Sequence, residues 1–522
     1  MVTNRGVGPT AVRPEARAPT RRTVPWPWLG GLAAITFALT RGVAIDRGDE
    51  SWFLWVGHRM ASGDVLYRDV YSVTTPLAHW VTMVALRITG TQLLTVRALS
   101  VACFVASAEA ARRLVARTGV GAFGQCLLIG ALFATASPVA NFVAFYSGLA
   151  VALGMAAWVV AADGERRAPG RQWLVGGLVG ASFLSKPNVG GLVLLAVLVV
   201  VVARVPVPEP GVRRRECARV VGCFALVVAA GLLIVAATGG ARGFVDDVVL
   251  NKGAYLRLRV SYLGQVTNAV RALFGRGNLS ALARLRDLLA FVPIVAAVVV
   301  LALVRARGLR RAAAGPLAFV VAGLLTLVPR PTTTHIAAAV PFVLTGVVLA
   351  WRGVGARGVA APWVRWVAAA AVVVVVAVVA VPAATTAVRG GATLPRFAGI
   401  PLRRARTRTL GHDLARLRTE TGGSVFIVSP NAGFAYLAGR LDDPTPFDVP
   451  ERSDFGPHDE QTAIAAVRAH PPKFVCLRRG AGRRSGAHQG LRPVRLEQYL
   501  LEHSSFVADV GVCRLYRFGP PG

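Results

Sequence analysis

Residues 46–54 read Asp-Arg-Gly-Asp-Glu-Ser-Trp-Phe-Leu, which places an acidic pair, Asp49 and Glu50, just ahead of an aromatic stretch. Either carboxylate could act as a general base towards an acceptor hydroxyl. The same pair could also be a solvated loop feature, or cap a helix that begins near Ser51. Further on, Gly63-Asp64-Val65-Leu66-Tyr67-Arg68-Asp69 offers Tyr67 and Asp69 as substrate ligands, with a turn-forming aspartate as the other reading of Asp69. Cations suited to an anion lie elsewhere. Lys186 stands in Phe183-Leu184-Ser185-Lys186-Pro187, where a stiff Lys-Pro turn could hold its ammonium against a phosphate, or where the side chain could simply snorkel. Arg330 and His335 flank three threonines and could complete an anion site. For His335 the other reading is a helix-start residue satisfied by backbone. Asp246, Asp247, Lys252, Arg257 and Arg259 read as the solvated face of an amphipathic loop. Asp49, Glu50 and His79 could be drawn towards a divalent metal, but one carboxylate pair does not specify such a site, so metal dependence stays open.

These residues must be positioned by elements that the composition already constrains. Of 522 residues, 54% are hydrophobic before glycine is counted. With glycine the share is about 64%, far above the 45–50% of soluble domains. A soluble globular protein and a disordered chain are both excluded. The 59 Lys and Arg against 26 Asp and Glu would suggest nucleic acid in a soluble protein, yet here the charges punctuate apolar runs and read as membrane topology, with no nucleic-acid partner. Among them are only three lysines.

Apolar runs of spanning length lie at 26–45, 96–115, 120–137, 140–162, 173–185, 189–203, 220–238, 288–304, 314–328, 336–351 and 367–381. A twelfth run at 76–88 is decided by parity, because every added span inverts the side of all later loops. Without it, the arginine-rich start and the basic loops near 112–117, 163–171, 204–219, 305–311 and 352–365 all fall on one side, as cytoplasmic loops should. It therefore reads as an amphipathic segment on the outer surface, with His79, Trp80 and Arg87 at the interface. The expected fold is an α-helical polytopic membrane protein of about eleven transmembrane helices. It has a basic cytoplasmic start (1–25), a membrane domain (26–384) with a first outer loop at 46–95, and an extracytoplasmic soluble α/β domain (385–522). In that tail, helical periodicity at 412–421 and 459–470 alternates with strand-like runs at 424–428, 474–477 and 512–518. Cys476 and Cys513 fall in two of those runs, and an oxidising compartment permits a disulfide between neighbouring strands. No glycine-rich phosphate loop opens a tail helix, so nucleotide binding there is unsupported.

The acidic pair after the first span, the Gly-x-x-x-Tyr-x-Asp segment and the proline-led run at 76–88 together resemble the GT-C type of polyprenyl-phosphate-sugar-dependent glycosyltransferases. More narrowly they resemble glycosyltransferase family 39, which includes dolichyl-phosphate-mannose protein mannosyltransferases and relatives of the aminoarabinose transferases. Phe183 to Pro187, the stretch Pro329-Arg330 to His335, and Gly439-Arg440 after Tyr436-Leu437 extend the resemblance over most of the chain. Thr74-Thr75-Pro76 departs from the His-Pro-Pro of many relatives. The resemblance implies transfer of a hexose or pentose from a polyprenyl-phosphate lipid donor to a cell-envelope acceptor at the outer face of the plasma membrane. In that reading Asp49 or Glu50 is the base, Lys186, Arg330 and His335 bind the donor phosphate, and Tyr67 and Asp69 bind substrate. No cofactor is implied. A non-enzymatic transporter of lipid-linked saccharides is the alternative, for which charges inside the spans are needed and are scarce. A structural partner acting through the tail is a third reading.

Overall fold

The computed structural model describes residues 26–141, 144–163, 170–204, 210–251, 261–274, 288–307, 311–328, 331–353, 362–389, 394–400, 404–448, 455, 458–482 and 492–519. Arg330, Lys252, Arg257 and Arg259 lie outside them.

A helix occupies each of the eleven apolar runs. They are α1 (Trp26–Thr40), α4 (Leu93–Ala116), α5 (Ala122–Ala136), α6 (Phe145–Ala162), α7 (Gly170–Ser185), α8 (Pro187–Arg204), α9 (Pro210–Ala237), α11 (Val292–Arg307), α12 (Arg311–Leu325), α13 (Thr333–Gly353) and α14 (Pro362–Arg389). Between α1 and α4 stand α2 (Asp49–Ser62) and α3 (Pro76–Thr89), and between α9 and α11 stands α10 (Tyr262–Phe274). Five helices are long and apolar enough to cross a bilayer, with mean hydropathy from 1.6 to 2.8, and they mark a membrane protein. Several others are apolar but shorter. The 14-residue α3 is only about 21 Å long, short of a hydrocarbon core of about 30 Å.

The bundle closes by approach of small residues. An added Cβ at Gly176 would lie 2.4 Å from the Val220 carbonyl oxygen, and one at Gly180 would lie 2.9 Å from Val227 Cβ, so this Gly-x-x-x-Gly pair lets α7 and α9 pack backbone to backbone. Deeper in, the Trp158 and Phe319 rings stack at 3.9 Å between α6 and α12.

One end of the bundle gathers the segments that matter for chemistry. The Arg97 guanidinium in the first turns of α4 holds carbonyls at the end of α1, the Thr75 hydroxyl ahead of α3 lies 3.5 Å from the Phe183 carbonyl near the end of α7, and the Leu93 amide donates to Arg396 at 3.0 Å. After α14 the chain forms α15 (Arg404–Thr421), β1 (Phe426–Val428), α16 (Ala432–Gly439), α17 (Glu460–Ala469), β2 (Phe474–Leu477), α18 (Val494–Glu502), β3 (Ser504–Asp509) and β4 (Arg514–Phe518). The sheet runs β1-β2-β4-β3, with β1 and β2 parallel and the rest antiparallel. The expected disulfide joins Cys476 in β2 to Cys513 just ahead of β4. This segment shares one apolar core with the first outer loop: Phe53, Leu54 and Trp55 of α2 belong to the same buried cluster as Tyr436, Leu437 and Leu515.

Candidate active site

Asp49 is the first residue of α2 and is exposed there, while Glu50 turns inward. Both stabilise a helix start, where unpaired amides carry partial positive charge. The two carboxylates then diverge. Glu50 forms a bidentate ion pair with Arg97, Nε to Oε1 at 2.7 Å and Nη2 to Oε2 at 2.9 Å, with both side chains at most 7% exposed. The same guanidinium donates to the carbonyls of Thr40, Val43 and Ala44. Glu50 therefore locks α2 onto α1 and α4, and Asp49 faces the open side. An arginine inside the apolar run of α4 is the sequence signal that a buried acid must lie opposite it.

Tyr67 sits in the loop after α2 with φ +67°, an unusual value for a residue with a side chain, and is 5% exposed. Its hydroxyl donates to the Thr74 carbonyl at 2.5 Å. The close pass of the chain after α9 wedges it in place, since an added Cβ at Gly243 would lie 1.8 Å from the Tyr67 carbonyl oxygen. Asp69 takes the turn role: its Oδ2 accepts the Val65 amide at 2.9 Å, and Arg68 at 2.8 Å holds its carboxyl below the usual range. Tyr67 and Asp69 thus shape the loop around the site.

That loop meets two residues for which the sequence suggested surface positions. His79, expected at the membrane interface, is fully buried: its ring stacks on Phe53 at 4.6 Å with Trp52 edge-on at 5.9 Å. Its Nε2 lies 2.6 Å from the Thr74 hydroxyl and 3.0 Å from the Ser72 hydroxyl. Burial pushes its pKa down to about 3, so it is neutral. Asp247, read from the sequence as part of a solvated face, is 6% exposed in a π-helical turn, Val245–Leu250. It accepts the Ser72 amide at 3.4 Å, and burial raises its carboxyl to about 8. A π-turn adds a residue to a helical turn and so re-aims side chains, which hydropathy patterns do not reveal.

Lys186 completes the convergence. Its Nζ donates to the Ser147 hydroxyl in the first turn of α6 at 2.9 Å and lies 5.4 Å above the Tyr146 ring. Tyr146 in turn is 6.2 Å from Phe53 of α2, ring to ring. The N-terminal ends of α6 and α8 meet at this lysine, and Thr75, ahead of α3, reaches the Phe183 carbonyl three residues before it, an arrangement that favours negative charge. His335 lies in the first turn of α13, its Nδ1 2.7 Å from the Thr332 hydroxyl, and Asn188, two residues past Lys186, reaches Thr326 at the end of α12 at 3.4 Å. Glu50 pairs with Arg97 and His79 with hydroxyls. Among the described residues, no group of three or more His, Cys, Asp or Glu could hold a metal ion. The site thus assembles Asp49, aromatic rings, a neutral histidine, a lysine and several helix N-termini at one end of the bundle.

No protein-family model and no curated protein matches the chain. Among solved structures, it is similar to ArnT from Cupriavidus metallidurans bound to undecaprenyl phosphate, at 14% identity and TM-score 0.54, covering 95% of this chain and 99% of that one. It also matches the arabinofuranosyltransferase AftD from Mycobacteria at 13% identity and TM-score 0.48, covering 95% of this chain and 40% of AftD. The likeness to ArnT shows that the chain shares that protein's fold.

Proposed function

We propose that the chain is a membrane glycosyltransferase that moves a sugar from a polyprenyl-phosphate donor to a hydroxyl of a cell-envelope acceptor. The observation that carries this reading is Lys186, held on the first turn of α6 over the Tyr146 ring, which in turn lies beside Phe53 of the helix that begins with Asp49. The donor phosphate binds Lys186 and the surrounding helix N-termini, with Arg330 and His335 as further candidate ligands. As the bond between the anomeric carbon and the phosphate oxygen breaks, the phosphate leaves with the electron pair and the lysine neutralises its charge. The acceptor oxygen bonds to the anomeric carbon, and its proton passes to Asp49. Neutral His79, Ser72, Thr74 and Asp247 fix the loop that walls the site, and Glu50 fixes the helix that carries Asp49. The likeness to ArnT, whose structure was determined with undecaprenyl phosphate, supports the donor class. Eleven crossings with the start of the chain in the cytoplasm would put this end of the bundle, and the segment after 385, at the outer face of the plasma membrane.

The test is to purify the full chain and its Lys186→Ala variant in detergent and identify co-extracted lipid by mass spectrometry. A polyprenyl phosphate bound to the wild type and depleted in the variant is expected. Equal recovery from both ends the phosphate role of Lys186, and no polyprenyl lipid in either ends the donor reading.

A further inference from the structure

The helix that carries Asp49 has a second seam, against the C-terminal segment. Trp55 stacks on Tyr436 of α16 at 4.9 Å, Arg47 lies 4.9 Å over the Phe434 ring, and the Tyr71 amide donates to the Pro446 carbonyl at 2.9 Å. Arg59 is the hub. Its guanidinium bonds Asp64 Oδ2 at 2.6 Å, Asp448 Oδ1 at 3.2 Å, the Thr445 carbonyl at 2.9 Å and the Asp69 carbonyl at 2.9 Å. Three carboxyl groups face this one cation, because Asp443 lies in the same field, and of the three Asp64 also feels Arg68. Asp448 is 1% exposed, and Asp443, half-buried as a residue, has its Oδ2 closed off from solvent. Oδ1 of Asp443 accepts the Thr445 amide at 2.9 Å and the Thr445 hydroxyl at 2.8 Å, while among the described residues the Oδ2 atoms of Asp443 and Asp448 have no hydrogen-bond partner. The Tyr436 hydroxyl also faces Asp443, and Trp55 faces Asp448. His58 and Arg396 stand nearby, close to Asp64.

One guanidinium cannot neutralise three carboxylates, and a closed-off carboxylate oxygen without a donor is costly. We propose that Asp443 keeps a proton while the seam is closed, and that losing it unlatches the C-terminal segment from α2, which makes Asp443 a positioning residue for the helix that carries Asp49. Burial first, and then the Asp448 charge, pushes the Asp443 carboxyl up to about 8, and burial outweighs the pull of Arg59 to leave Asp448 at about 6. In an opened seam both return to the ordinary range near 4. The closed state therefore binds more protons than the open one. Closure through these two carboxyls is at full strength below pH ~4 and weakens as pH rises, and between about 6 and 8 Asp443 is the one of the two that responds. One proton of difference shifts the closing equilibrium about tenfold per pH unit.

This inference rests on the seam and not on the donor reading. The test is hydrogen exchange of the Tyr71 amide, which crosses the seam, in the full chain in detergent, corrected for the intrinsic pH dependence of exchange. Wild-type protection should fall about a hundredfold from pH 6 to 8. Asp443→Asn keeps the acceptor for Thr445 and removes this titration, so its protection should lose most of that slope, keeping only what buried Asp247, which holds the neighbouring Ser72 amide, contributes. Constant protection in the wild type overturns the proposal even if the variant fails to fold, and so does a variant with the wild-type slope.

Discussion

Successive helical residues point about 100° apart, and this separates two neighbouring carboxylates. Glu50 is drawn into the pocket of Arg97, whereas Asp49, one residue earlier, stays exposed at the helix start. Within the proposed reaction, this exposure is why the base is assigned to Asp49 and not to Glu50. Asp49→Asn keeps the shape and removes basicity, so transfer should fall about 10² to 10⁴-fold, as general-base losses do. Lipid co-purification and the melting temperature should stay unchanged. Near-normal turnover in Asp49→Asn would remove the base from this residue. His79 adds no titration near neutrality, since burial keeps it uncharged down to about pH 3.

At the scale of elements, α2 is held at both ends by buried charge, Glu50 with Arg97 at its start and Arg59 with Asp448 near its end. Glu50→Gln would strand the Arg97 charge among carbonyls, and breaking a buried pair costs about 3–5 kcal/mol. A clear drop in melting temperature is expected for Glu50→Gln and none for Asp49→Asn, measured side by side in one detergent. Equal stability of the two would mean that the ion pair does not hold α2. The disulfide anchors the other partner of this seam. It closes a stretch of 37 residues, worth about 4 kcal/mol in the chain-entropy account. Reductant should therefore lower the melting temperature of the wild type but leave a Cys476→Ala, Cys513→Ala double variant unchanged.

For the whole molecule, the alternation of basic loops makes a claim about sides. A cysteine at Glu502, exposed at the end of α18, should react with an impermeant thiol reagent in whole cells, and one at Thr118, exposed between α4 and α5, should not. The reverse pattern would invert the orientation. Hydropathy alone determined that this is a membrane protein and where its apolar helices fall, because a spanning helix needs only a long apolar run. Local motif also marked Asp49 and Lys186, since each stands at the start of a helix or at a turn that sequence can show. Only the tertiary structure decided that Glu50 faces Arg97, that His79 and Asp247 are buried against the Ser72–Thr74 loop, and that Arg59 meets Asp443 and Asp448. Except for His79, which meets hydroxyls five and seven positions away, those pairings join residues from about 50 to nearly 400 positions apart, and whether a charge is solvated, paired or forced to hold a proton depends on what packs against it.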